Sequence, residues 1–169
     1  MNGPRHLNTL YDQNQLGQAY VENGKVAQGI ALLEKTLADS RAIPGAESPD
    51  TLRVEVSLGW AYDAKGDLAR AGKLWQHAYE GYGRLGSFQE GNAARAGELL
   101  GLNLTKQRKY AQAEPLLLSG YDGMRQRLSR MPAKERKWVR SSGEQIVDLY
   151  SRWPKPEQAA RWRAKLEEP

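Results

Sequence analysis

The chain has 169 residues, a formal net charge of +5, 40% hydrophobic residues, two histidines and no cysteine; this is enough for one packed domain or one short solenoid and too little for two domains. The lack of cysteine excludes disulfides, thiolate metal sites and cysteine nucleophiles together. A single phenylalanine and few β-branched residues, against abundant Ala, Leu, Gln, Glu, Lys and Arg, favour helix over strand throughout.

The charge is uneven. Residues 1–50 carry four basic and six acidic side chains, residues 51–100 six of each, and residues 101–169 fifteen basic against eight acidic. No basic start with an apolar run occurs near the N-terminus, and no window is long and apolar enough to span a bilayer. The expectation is a soluble, cytoplasmic chain without membrane contact.

In chain order, Gly3-Pro4-Arg5-His6-Leu7-Asn8-Thr9-Leu10 is a copy of the later run Pro44-Gly45-Ala46-Glu47-Ser48-Pro49-Asp50-Thr51-Leu52. A linker joins two repeats, so residues 1–8 read as the remnant of a preceding linker and the chain as a fragment of a longer array. Solenoid ends need polar caps, and none precedes Leu10. An apolar patch at Leu7, Leu10, Leu16 and Val26, with self-association through that end, is the expectation.

Helices are expected at about 9–22, 25–40, 50–65, 67–83, 91–107, 109–130, 134–152 and 155–167. The segment from Thr51 to Asn92 is the template for the others. Shifting back 42 positions superimposes Thr51, Leu52, Leu58, Gly59, Ala61, Tyr62, Gly66 and Ala69 on identical residues at Thr9, Leu10, Leu16, Gly17, Ala19, Tyr20, Gly24 and Ala27. Shifting forward by 42 superimposes Gly59, Ala71 and Leu74 on Gly101, Ala113 and Leu116, and a partial fourth copy needs an interval of 46. Self-similarity at a fixed interval means a repeat architecture. The repeats run over about 9–50, 51–92, 93–136 and 137–169, the last being the cap.

Within the template, Gly66 ends the first helix and Asp67 starts the second. Gly59, Ala71 and Ala78 are small where neighbouring helices approach closely. In the third copy Arg108-Lys109 stands where the turn glycine should be, and Pro115 inside the second helix should kink it or displace its regular part downstream. Pro156 suits a first-turn position, and Arg161, Arg163, Lys165, Glu167 and Glu168 give the last helix a polar outer face.

This spacing resembles the tetratricopeptide repeat, specifically the 42-residue variety of kinesin light chains and many bacterial proteins. The run from Pro44 to Leu52 is similar to that variety's G-x-E-H-P-D-T-L linker, with Ser48 at the usual histidine. The runs from Tyr110 to Leu118 and Pro156 to Arg163 resemble C-terminal repeat regions attached to bacterial serine/threonine kinases. The resemblance implies an all-α, right-handed superhelical solenoid of about four antiparallel helix pairs. It also implies a protein-protein interaction scaffold in the C-terminal part of a larger repeat or signalling protein.

In tetratricopeptide proteins the first helix of each pair lines a concave groove. The resemblance therefore places partner-binding side chains at Tyr11, Asn14 and Gln18, at Arg53, Val56, Trp60 and Asp63, and at Arg95, Glu98, Leu102 and Thr105. Trp60 lies one residue past the packing glycine, so it either caps a neighbouring helix or anchors a peptide. The Lys and Asn pattern with which chaperone-binding members clamp a terminal carboxylate is not matched.

No catalytic constellation is visible, and no cofactor is called for. His6 and His77 lack Cys, His or carboxylate partners at metal-ligand spacing, and no phosphate-cradling or kinase motif occurs. The run Arg125, Arg127, Arg130, Lys134, Arg136, Lys137 and Arg140 is the strongest electrostatic feature. Its bland interpretation is a solvated helix end. The alternative is an anionic or nucleic-acid partner over 125–140, disfavoured because aromatics do not interleave as a base-stacking platform requires.

Overall fold

A computed structural model describes residues 7–43, 45–86, 89–126, 128–130 and 137–167. Among these, every regular element is helical: α1 Leu7–Glu22, α2 Val26–Ala42, α3 Pro49–Ala64, α4 Leu68–Arg84, α5 Glu90–Lys106, α6 Tyr110–Gln126, α7 Lys137–Arg152 and α8 Pro156–Glu167, with a 3-10 turn at Leu128–Arg130. The chain divides into two units, Met1–Ala96 and Gly97–Pro169.

In the N-terminal unit α1 packs on α2, α3 on α4, and α3 also meets α2 and α1. The repeat explains the pairing. Gly17 faces Leu33 and Gly59 faces Trp75, and an added Cβ at either glycine would lie 2.6 Å from the opposing side chain. Only a residue without a side chain permits that approach. Leu52, Ala78, Tyr82 and Ala96 form a buried cluster with Val56, Tyr79 and Ala93 against it. Ser48 caps α3 by accepting from the Thr51 backbone N–H at 3.1 Å, and Pro49 occupies the first turn. Asp67 caps α4 by accepting from the Arg70 N–H at 3.0 Å, which holds its carboxyl below the usual carboxylate range.

The C-terminal unit repeats the device at Gly101, where a Cβ would lie 2.9 Å from Leu117. The two glycines and the two opposing residues Trp75 and Leu117 are each 42 positions apart. In the last pair the close glycine is Gly143, facing Leu166, one turn before the position that the interval of 46 marks. Ile146, Leu149 and Ala159 are buried. Tyr121 meets Trp162 edge-on at 4.8 Å.

Four expectations change. Pro115 does not displace the regular part of its helix downstream: the helix starts at Tyr110 and runs through it, without the one backbone donor that a proline lacks. The sixth helix ends at Gln126 and the seventh is described only from Lys137. Lys165 is half-buried rather than exposed, its ammonium lying over Tyr121 and Trp162, 4.8 and 4.2 Å from the ring centres. Of the expected N-terminal apolar patch, Leu10 is buried, Val26 half-buried and Leu16 exposed; residues 1–6, Glu168 and the Leu7 side chain lie outside the description.

Candidate functional site

The first helices of the repeats carry the expected groove residues, and the structure separates them by role. Tyr11 is exposed, and the Arg53 guanidinium lies 5.3 Å from its ring centre while pairing with Asp50. Leu10, Tyr11, Asn14, Ser40, Asp50, Arg53 and Val54 line a small recess there, with room for about one water molecule. Asn14 is 0% exposed, and neither its Nδ2 nor its Oδ1 has a hydrogen-bond partner among the described residues. Gln18 donates to Ser57 Oγ at 2.6 Å, which ties α1 to α3. Trp60 and Asp63 are half-buried and Arg95 is exposed. In the C-terminal unit Glu98 accepts from Gln145 Nε2 at 3.0 Å.

Of the other positions on the expected groove side, Val56 is half-buried against the Leu52 cluster. Thr105 is 4% exposed and its hydroxyl donates to the Gly101 carbonyl at 2.9 Å. Helical periodicity alone places both on the groove side and does not show their burial.

A second cluster escaped notice because its members are far apart in sequence. Glu55 is 0% exposed, yet its carboxylate receives Arg41 Nη2 at 2.8 Å and contacts His77 Nδ1 at 2.6 Å. The other ring nitrogen of His77 lies 3.8 Å from Glu47, which Arg84 grips with two nitrogens at 2.8 to 3.0 Å. The network joins α2, the linker, α3 and α4, and pairs the buried charge. One signal was available: antiparallel pairing centred on Gly59 and Trp75 carries Glu55 to the level of residues 77–79. The two glutamates address opposite ring nitrogens, and among the described residues no group of three or more His, Cys, Asp or Glu is placed to hold a metal ion.

Of the basic run, Arg127, Lys134 and Arg136 and the Arg130 side chain lie outside the described residues. Arg125 donates to the Tyr121 hydroxyl at 3.1 Å, and Arg140 pairs with Glu144 at 3.2 Å. Lys137 lies 5.1 Å from the ring centre of Trp138, which is 54% exposed. No helix among the described residues is long and apolar enough to cross a membrane.

Residues 5–84, the first two helix pairs, match the tetratricopeptide repeat family. Solved structures extend the likeness along the chain: the kinesin-light-chain TPR-like repeats of Podosopora anserina superimpose with a TM-score of 0.84 at 19% identity, over 95% of this chain and 74% of theirs. BtubC from P. vanneervenii gives 0.81 at 15% identity, over 94% of this chain and 62% of its own. No curated protein matches. The fold is therefore an all-α helical repeat of the tetratricopeptide kind.

Proposed function

We propose that this chain is a non-catalytic interaction module whose N-terminal unit binds an extended peptide along the side bearing Tyr11, Asn14, Gln18, Arg53, Trp60 and Asp63. Arg95, on the part of α5 that belongs to this unit, is a further binding position. Asn14 carries the proposal. A buried amide without partners costs about 1 to 3 kcal/mol, and an extended peptide backbone offers one carbonyl and one N–H that satisfy both of its ends. Tyr11 and Arg53, beside it, are residue types common at binding hot spots. Membership of a larger repeat or signalling protein is part of the same proposal and is supported by the resemblance to kinase-attached arrays.

Selection of a displayed random-peptide library on the chain tests this. Enriched peptides should lose at least about tenfold in affinity for Asn14→Leu, while the folded chain keeps its stability or gains some. No enrichment, or peptides indifferent to position 14, would contradict the proposal. A second reading, an anionic or nucleic-acid partner, rests on Lys137, Trp138 and Arg140 standing exposed together. A steep fall of oligonucleotide affinity with salt would support it and a flat response would remove it.

A further inference from the structure

The turn between the two helices of a pair is closed by the same backbone hydrogen bond in the last pair as in the first three, with Lys155 N–H reaching the Tyr150 carbonyl at 3.1 Å. Its charge, however, changes along the chain. Residues 22–26 and 64–68 each hold one cation and one carboxylate, which cancel, whereas their counterparts 106–110 hold Lys106, Arg108 and Lys109 and no carboxylate. The last turn, 152–156, adds Arg152 and Lys155, again without a carboxylate.

Within the C-terminal unit these two turns meet. The rings of Tyr110 and Trp153 stack with centres 5.9 Å apart and planes 20° from parallel. Lys155 Nζ lies 3.3 Å from the Trp153 ring centre, so the rings fix where that ammonium stands. Arg108, Lys109 and Arg152 are exposed. The helix dipole accounts for two of the cations, because Lys106 ends α5 and Arg152 ends α7, and Arg152 also pairs with Asp148 at 2.7 Å. It does not account for Arg108, which stands at φ +61 where its counterparts are glycines. Among the described residues the Arg108 side chain makes no hydrogen bond or ion pair. A strained backbone thus holds a guanidinium that nothing within the fold uses.

We propose that this turn edge of the C-terminal unit binds an acidic, carboxylate-rich segment of a partner protein, with Arg108, Lys109 and Lys155 as its contacts. Repeats bury their helix faces against neighbouring repeats, so an edge made of turns stays open however many pairs precede or follow. The site is separate from the peptide side bearing Tyr11 and Asn14, which belongs to the other unit, and from Lys137 and Arg140, which lie at the far end of α7 from Arg152. A carboxylate partner is favoured over a nucleic acid because Trp153 is engaged by Tyr110 and Lys155 and serves to place the cation rather than to stack a base. The guanidinium fork of Arg108 matches a carboxylate.

The test is a titration of the isotope-labelled full chain with a synthetic oligoglutamate peptide, followed by amide shifts, with oligothymidylate as the competing polyanion. Saturable shifts should centre on Arg108, Lys109, Tyr110, Trp153 and Lys155, and should weaken as salt is added. Arg108→Gly and Lys155→Gln should each lower the affinity about threefold. Arg108→Gly relieves the backbone, so a loss of binding in that variant cannot come from unfolding. Lys73→Gln, which removes an exposed cation of α4 in the other unit, should leave the affinity unchanged. The proposal is overturned by an absence of saturable shifts, or by shifts centred on Lys137, Trp138 and Arg140 instead. It is also overturned by an equal loss in Lys73→Gln, which would reduce the attraction to net charge, or by tighter binding of oligothymidylate than of oligoglutamate, which would make the partner a nucleic acid.

Discussion

Arg108 stands in the left-handed region at φ +61, where the equivalent turns have Gly24 at +76 and Gly66 at +85. The hydrogen bonds are the same in all three: Lys109 N–H reaches the Leu104 carbonyl at 2.8 Å, as Lys25 reaches Tyr20 at 2.8 Å and Asp67 reaches Tyr62 at 2.9 Å. The turn is therefore kept and the wrong residue is strained into it. Arg108→Gly should raise the unfolding free energy by about 1 kcal/mol, measured by urea denaturation; a loss of stability would mean the arginine side chain has a role in the turn.

The buried hydroxyls give a pH signature. Burial pushes Tyr82 up to about 12, and burial with the bond to Glu114 does the same for Tyr150, from the ordinary 10. Folding favours the neutral form, so the stabilisation is complete below pH 10. It is lost as pH rises towards about 12, because the unfolded chain ionises first. The urea midpoint should fall across that window, and less steeply in Tyr82→Phe; equal slopes in the two proteins would contradict the assignment. That Asn14 lies on the same side of α1 as Tyr11 and Gln18 was legible in the sequence, but its complete burial was not, because Ser40 and Val54, which wall the recess with it, are far along the chain.

At the scale of the helices, close approach is set by small residues that face large ones. Ala71, at 0% exposure, occupies such a contact in α4, whereas Glu80 in the same helix is exposed and accepts only from Gln76. Ala71→Leu should destabilise by about 1 to 3 kcal/mol through overpacking, and Glu80→Leu should lie near zero, both read from thermal melts. Equal effects would mean the register is misassigned. The helix pairs, the glycine contacts and the two capping residues were legible because each depends on residues within one repeat. The Glu55, His77 and Glu47 network was not, since it needs three elements brought together in space.

For the molecule as a whole, the interval of 42 carried the fold from the first two pairs, where the family match ends at residue 84, to the third, and an interval of 46 carried it to the fourth. The structural likeness over 95% of the chain shows that the later, diverged pairs keep the architecture. What the interval could not supply is the partner, because the positions proposed for binding differ between copies: Trp60 has Gln18 and Leu102 as its counterparts. Half-buried Trp60 is thus the side chain that most sharply separates a packing role from a binding one. A calorimetric titration of a library-selected peptide into the chain and into Trp60→Ala, with melting followed on the same samples, tests the account most directly. The prediction is an affinity loss of at least about 1 kcal/mol with the melting temperature almost unchanged; lost stability with intact affinity would place Trp60 in the core and contradict the groove.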